Sequence, residues 1–193
     1  MKAMANQFAC QREIGIDAGH RVPDHGSKCF NVHGHRYKIL ATMVGATLEG
    51  EQTGMVMDFS FLKECMMNAI DAPYDHAMIW YEKDPLYFAI TNSDAGRLQQ
   101  GWKNAIVDCV PTAENLAKVW FYALKNEIDI WFLAHDPEAE VPELTEIRVW
   151  ETPNCCAWYP ATQAIKVTLD PSSIQEINDT VAAAITGKKG KKR

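Results

Sequence analysis

Three histidines and one cysteine, all residue types that bind zinc, lie close together near the start of the chain. His33 and His35 are separated by one residue in the segment NVHGH, Cys29 lies four residues before the first of them, and His20 ends the segment IDAGH. Zinc is held by neutral imidazole nitrogens at about 2.0–2.1 Å, and a catalytic site leaves one position open for water or substrate. This spacing predicts a zinc site formed by His20, His33 and His35.

Cys29 has two possible roles in such a site. A cysteine on a loop beside a cation can lose its proton and act as a base or nucleophile. As a fourth ligand, it would instead close the site and make it structural. The residues alone leave both roles open.

Two other polar features are candidates for a functional site. Glu151 shares a strand face with Ile147 and Val149, where a carboxylate costs free energy unless something pairs with it. A ligand edge with two N–H donors would meet that need. Asp75 and His76 are adjacent, so in an extended segment their side chains diverge, and the spacing alone does not predict a hydrogen-bonded pair. Such residues are common near turns.

Two strands must position the histidines. Residues alternate between apolar and polar from Phe8 to His20, and a second alternating run extends from His33 to Met43. His33 and His35 therefore point to the same side. The intervening residues 21–31 carry Pro, Asp and Gly, in the manner of a loop.

Helical spacing of apolar residues follows in two segments. It predicts helices over residues 58–70 and 112–128, with Asp58 and Thr112 as the respective N-caps. Residues 77–110, between the helices, read as a long irregular stretch.

The remaining elements complete the order β-β-α-α-β-β and a terminal helix. Further strands are predicted around Ile147–Glu151, over 156–159 and over 164–169, and the last helix begins near Ser172 or Ser173. We expect one domain over residues 1–170, a C-terminal helix over 171–186 and a disordered basic tail over 187–193.

Composition excludes several classes of protein. The formal net charge is −6, and because the last seven residues carry +5, the rest of the chain carries −11. Such an acidic body argues against a nucleic-acid surface. The six cysteines are too few for a disulfide scaffold, and neither a signal peptide nor an apolar run of about 18 residues is present. We therefore expect reduced thiols, a cytoplasmic location and no membrane partner.

An ordered set of motifs resembles one enzyme family. The segments are FACQREIGIDAGHR, CFNVHGHRY, GMVMDFSFLK, YDHAMI, PTAENLA and VWETPN, between Phe8 and Tyr159. In this order they resemble the 6-pyruvoyl-tetrahydropterin synthase and 6-carboxytetrahydropterin synthase family. The three residues between Cys29 and His33 resemble the 6-carboxytetrahydropterin synthases of queuosine biosynthesis, since the biopterin-pathway enzymes typically have five.

This resemblance implies a fold, an assembly and a set of site residues. The fold is an α+β T-fold, in which an antiparallel sheet carries two helices on one face and joins other subunits in a trimeric barrel, commonly stacked as a hexamer. Zinc would be held by His20, His33 and His35. Sites in this family lie between subunits, so His76 need only reach a Cys29 of a neighbouring chain. The proton chemistry is assigned to Cys29, Asp75 and His76, and pterin binding to Glu151, Thr112 and Glu114.

The implied reaction converts 7,8-dihydroneopterin triphosphate to 6-carboxy-5,6,7,8-tetrahydropterin, acetaldehyde and triphosphate. Arg21 and Lys28 flank the zinc ligands and are candidate triphosphate contacts, or else merely solvated side chains. One alternative is triphosphate elimination to 6-pyruvoyl-tetrahydropterin. Another is a non-catalytic zinc protein, closed by Cys29, that binds a purine-like ligand or only assembles.

Overall fold

A computed structural model describes residues 7–50, 53–92, 102–136 and 140–163 of the chain. These belong to one structural unit, which ends at Gln163. The strand predicted over 164–169, the helix predicted over 171–186 and the basic tail over 187–193 lie outside the described residues.

Two long strands form the centre of the sheet. β1 (Phe8–His20) and β2 (His33–Gly45) pair antiparallel over their whole lengths. β5 (Glu143–Thr152) pairs antiparallel with β2, and β6 (Cys155–Pro160) with β5. These four strands are the antiparallel sheet that the sequence predicts.

The segment predicted to be irregular, residues 77–110, contains regular structure. β3 (Met78–Tyr81), α3 (Pro85–Thr91) and β4 (Asn104–Val107) lie within it. β3 pairs parallel with β1 through Gly19 and Met78, and β4 pairs parallel with β3, so the sheet is mixed and has the order β4-β3-β1-β2-β5-β6. The prediction was wrong because four-residue strands are too short to show a period of two.

The two predicted helices are present. α1 (Phe59–Met66) continues through a π-helical turn, Met67–Asp71, into the short α2 (Ala72–Tyr74). Asp58 caps α1 by accepting a hydrogen bond from the amide of Ser60 at 2.6 Å.

The second predicted helix is longer than the sequence pattern indicated. α4 (Ala113–His135) continues past residue 128 because Phe132 repeats the buried positions of Leu124 and Ile128 at intervals of four. Among the described residues, no helix is long and apolar enough to cross a membrane.

The core lies between one face of the sheet and the helices α1 and α4. Its fully buried residues include Ile16, Tyr37, Ile39, Met43, Leu62, Met66, Trp120, Phe121 and Ile147. Burying one large apolar side chain contributes about 1.5–3 kcal/mol. This packing fixes the register of β1 against β2, because a slip by one residue would turn the apolar face outward.

Candidate active site

Three imidazole rings meet at the end of the β1–β2 pair. His20 lies opposite His33 in the antiparallel register, and His35 lies two residues further along the same face of β2. The ring centroids are 4.5 Å apart for His20 and His33, 5.1 Å for His20 and His35, and 5.0 Å for His33 and His35. One nitrogen from each ring lies within 4.8 Å of the other two. The three side chains can therefore converge on one ion.

Backbone carbonyls orient two of these rings. The Nδ1 atom of His20 lies 2.6 Å from the carbonyl oxygen of Pro111, and that of His33 lies 2.8 Å from the carbonyl oxygen of Asn31. A carbonyl can only accept a hydrogen bond, so both Nδ1 atoms carry a proton, and in the neutral ring the Nε2 atom keeps its lone pair. Metal-binding histidines in proteins are commonly oriented in this way.

The lowered pKa values of two of the rings also suit a metal. Burial lowers the pKa of His20 to about 4, and charges on His33 and His35 would act in the same direction. Burial and the charge of His33 also lower the pKa of His35. Neutral imidazole is the form that binds metal.

One buried nitrogen atom shows whether the three histidines fit a metal ion. The Nε2 atom of His20 is buried and, in the described part of the chain, has no hydrogen-bond partner. Leaving such an acceptor unpaired costs free energy, which a cation would recover. The three histidines therefore fit a zinc ion, and Cys29 is not a member of the group whose ligand atoms converge.

A cleft of about 220 Å³ opens beside the histidines. Four other predicted site residues line it together with His20, namely Cys29, Thr112, Glu114 and Glu151. Cys29 belongs to a short 3₁₀ turn, Lys28–Phe30, whose first amide donates to the hydroxyl of Ser27 at 2.6 Å. Thr112 has a second task as the N-cap of α4, since its hydroxyl accepts from the amide of Asn115 at 3.4 Å.

Glu151 reaches the cleft through an irregularity in the sheet. The register between β5 and β6 shifts between Trp150 and Thr152, which leaves Glu151 as the extra residue. Such a bulge redirects a side chain. Burial raises the pKa of the Glu151 carboxyl, and the neighbouring Glu114 carboxylate raises it further. One oxygen of Glu151 lies 3.8 Å from the Nε2 atom of His20.

Asp75 and His76 lie apart from this cleft and form a hydrogen-bonded pair. The Nδ1 atom of His76 is 2.8 Å from Oδ2 of Asp75, although the sequence did not predict the pair. Divergence was expected of an extended segment, but His76 adopts a left-handed backbone with φ of 56°. Both residues are fixed to β1, because Asp75 accepts from the amide of Asp17 at 2.9 Å and the amide of His76 donates to the carbonyl of Asp17 at 2.6 Å.

The cavity beside His76 is larger and more open than the cleft. It measures about 670 Å³ and is lined by His35, His76, Trp102 and Lys103, among others. Hydrogen bonding to the amide of Asp17 lowers the pKa of Asp75, and His76 lowers it further. The single chain thus separates His76 from the cleft that holds Cys29.

Of the two alternatives for Arg21, the merely solvated side chain is wrong. Arg21 is buried, and its Nε atom lies 3.0 Å from Oδ2 of the fully buried Asp84. The sequence could not show this pairing, because the partner lies 63 residues away in the segment predicted to be irregular. Lys28 is exposed, as expected.

Several cleft residues were not predicted from the sequence. His25, Cys155 and Cys156 also line the cleft. Pro153 and Asn154 are typical turn residues and could have predicted a hairpin after Glu151. Such a hairpin places Cys155 and Cys156 at the same end of the sheet as Glu151. No comparable signal pointed to His25, which is exposed in the loop after β1.

Comparison with known proteins gives a consistent set of similarities. The family described as 6-pyruvoyl tetrahydropterin synthase matches residues 9–162. A protein of Rickettsia bellii named 6-carboxy-5,6,7,8-tetrahydropterin synthase is 36% identical over 146 residues, which cover 76% of this chain and 95% of that protein. A Haemophilus influenzae protein of the same name is 32% identical over 154 residues, with coverages of 79% and 98%.

Solved structures share the fold. The 6-pyruvoyl tetrahydropterin synthase of Caenorhabditis elegans has a TM-score of 0.54 and 24% identity, covering 81% of this chain and 96% of its own. An uncharacterized protein of Wolinella succinogenes has a TM-score of 0.63 and 20% identity, with coverages of 81% and 99%. At these identities the likeness concerns the fold alone, and it agrees with the α+β T-fold expected from the sequence.

Proposed function

Because the chain belongs to the 6-pyruvoyl tetrahydropterin synthase family, we propose that it is a zinc-dependent 6-carboxy-5,6,7,8-tetrahydropterin synthase. Its substrates would be 7,8-dihydroneopterin triphosphate and water, and its products 6-carboxy-5,6,7,8-tetrahydropterin, acetaldehyde and triphosphate. The class of enzyme is a carbon–carbon lyase, serving the biosynthesis of queuosine or another 7-deazapurine in the cytoplasm. Relatives at 32–36% identity carry the name of this synthase.

One observation carries the proposal. His20, whose buried Nε2 atom has no hydrogen-bond partner among the described residues, converges with two other imidazoles beside a cleft that also holds Cys29 and Glu151. A metal ligand set, a thiol and a buried carboxylate together meet the needs of a reaction that moves protons on a hydroxylated side chain of a planar heterocycle. The absence of Cys29 from the converging ligand group favours an open, catalytic site over a closed, structural one.

Each residue of the cleft has a defined task in this proposal. Bound zinc would supply Lewis-acid polarisation of the substrate's side-chain hydroxyls. Cys29, as a thiolate, removes a proton from the adjacent carbon. Glu151 accepts hydrogen bonds from the N–H groups of the pterin edge and fixes the ring, while Thr112 and Glu114 border the same space.

A second subunit would complete the site. His76, which is hydrogen-bonded to Asp75, lines a separate cavity of the same chain, so the proton chemistry of this pair requires a Cys29 from a neighbouring copy. The cleft measures about 220 Å³, whereas small-molecule sites usually measure roughly 300–1,000 Å³. A smaller enclosed volume is expected if a neighbouring subunit supplies part of the lining. The proposed assembly is a homohexamer made of two trimers, in which sheets join across subunits.

Product analysis tests the function. The full chain, loaded with zinc, is incubated with 7,8-dihydroneopterin triphosphate, and all products are identified by mass. We expect 6-carboxytetrahydropterin with one acetaldehyde per turnover, and none from the Cys29→Ala variant. Triphosphate release without acetaldehyde would identify 6-pyruvoyl-tetrahydropterin formation instead, and unchanged substrate would favour the non-catalytic alternative.

A further inference from the structure

A carboxylate of the segment between His76 and Pro111 is buried against the loop that follows β1. Asp84 has no exposed surface, and its Oδ2 atom lies 3.0 Å from Nε of Arg21. Its Oδ1 atom accepts from the amide of Leu86 at 2.8 Å and so caps α3. One side chain thus joins the start of α3 to the residue directly after His20.

Arg21 and its neighbour Val22 both contact the turn that carries Cys29. Its guanidinium lies over the ring of Phe30, 4.6 Å from the centroid. Next to Arg21, the amide of Val22 donates to the carbonyl of Cys29 at 2.8 Å. The ring of Phe30 and the backbone of Cys29 itself are therefore fastened to the same short stretch, Arg21–Val22.

Burial makes this arrangement rigid. A buried charge without its partner is strongly unfavourable, so the guanidinium stays at Asp84 and does not swing into solvent. An arginine held in this way presents a fixed surface to Phe30. Phe30 itself is 47% exposed, so little else on its outer side restrains it.

We propose that Asp84 is a positioning residue for Cys29, acting through Arg21 and Phe30 to hold the 22–31 loop in place. The inference rests on the proposed function for its catalytic consequence, since Cys29 acts as the base in that reaction. The segment between His76 and Pro111 thereby has a role in the site, although Asp84 does not line the cleft. A displacement of about 1 Å in a catalytic group can cost about 100-fold in rate.

Asp84→Asn tests the proposal in the full chain. Asparagine keeps the size of the side chain and remains a good N-cap for α3, but it removes the charge that holds Arg21. In hydrogen–deuterium exchange, we expect the amides of the 22–31 loop to exchange at least about tenfold faster, while the centres of β1 and β2 stay protected. The matched control is Asp129→Asn, which removes an exposed ion pair with Lys125 on α4 and should leave the loop unchanged.

Kinetics supply the second readout. We expect Asp84→Asn to lower kcat at least about tenfold and to leave KM within about twofold, because the base is misplaced and the pterin contacts remain. Unchanged loop exchange would overturn the proposal, and so would a loosened loop with unchanged kcat. If the wild-type chain makes no product from dihydroneopterin triphosphate, the proposed function fails, and the exchange data alone then support or overturn the role of Asp84 in holding the loop.

A second variant guards against a folding defect. If Asp84→Asn loses protection in β1 and β2 as well, Phe30→Leu takes its place, because a half-exposed ring can be replaced without disturbing the core. Faster exchange confined to the 22–31 loop in Phe30→Leu would support the proposal. Wild-type exchange in that loop would overturn it.

Discussion

His20 and Pro111 are 91 residues apart in the sequence and are joined by a hydrogen bond of 2.6 Å from the imidazole Nδ1 to the backbone carbonyl. This bond leaves the Nε2 atom of His20 as the free ligand nitrogen. It also fastens the residue before Thr112 to the end of β1, so that the first turn of α4 lies beside the histidines. The metal site and the cleft therefore share one structural support.

Removal of one histidine should remove the metal. We expect about one zinc per chain in the wild type and strong loss of zinc in His33→Ala, because two imidazoles are too few to hold the ion. Elemental analysis of the purified chain measures this directly. His135→Ala is the control, since His135 stacks on Trp131 at the exposed end of α4. Full zinc retention in His33→Ala would exclude the assigned ligand set.

Glu151→Gln should weaken binding of the pterin. The amide keeps the shape of the side chain but replaces one acceptor oxygen with a donor, so we expect a loss of roughly 1–3 kcal/mol from an unmatched N–H pair. Calorimetric titration with a pterin measures the change. Glu143→Gln, an exposed position on the same strand, should bind as the wild type does. Equal affinities for the two variants would assign Glu151 a structural role.

Two inactive variants should restore activity when mixed. Cys29→Ala and His76→Ala each lack one group, and after subunit exchange some interfaces will contain both groups if the site draws them from different chains. The measurement is acetaldehyde formation by the mixture. Cys29→Ala mixed with Glu151→Gln is the control and should be no more active than Glu151→Gln alone, because those two residues line one cleft of one chain and mixing leaves every cleft with one of the two changes.

The result of mixing decides where the site lies. If the mixture of Cys29→Ala and His76→Ala forms no acetaldehyde although mass-labelled subunits confirm exchange, the result would contradict an intersubunit site. The zinc assignment would be unaffected by that outcome, because all three histidines belong to one β1–β2 pair.

Alkylation should distinguish the cysteines by environment. Burial raises the pKa of Cys65 to about 12, and burial followed by the charge of Asp108 raises that of Cys109 to about 11. Since the thiolate is the nucleophile, both should resist iodoacetamide at pH 8 and react only as the pH approaches those values. Cys29 and the exposed Cys155 should react first.

Peptide mapping by mass spectrometry gives the order of labelling, and zinc analysis of the same sample gives the metal content. Zinc retained after complete labelling of Cys29 would support the open site. Loss of zinc in step with labelling would identify Cys29 as a ligand, and early labelling of Cys65 would contradict the buried position of its thiol.

The sequence alone was sufficient for the parts of the molecule that depend on local pattern. Alternation with a period of two predicted β1 and β2 and placed His33 and His35 on one face, and the structure confirms both strands. Helical spacing and capping residues predicted the starts of α1 and α4, which begin after Asp58 and Thr112 as expected. These features follow from residues within a few positions of one another, which a single sequence displays.

Only the tertiary structure decided the contacts between distant segments. The bond from His20 to Pro111, the pairing of Arg21 with Asp84 and the parallel addition of β3 and β4 each join residues that no local pattern relates. The left-handed turn at His76 likewise depends on β1, whose Asp17 holds both residues of the pair. Such contacts depend on strand register and on how buried charges find partners, and both are settled only when the whole core packs.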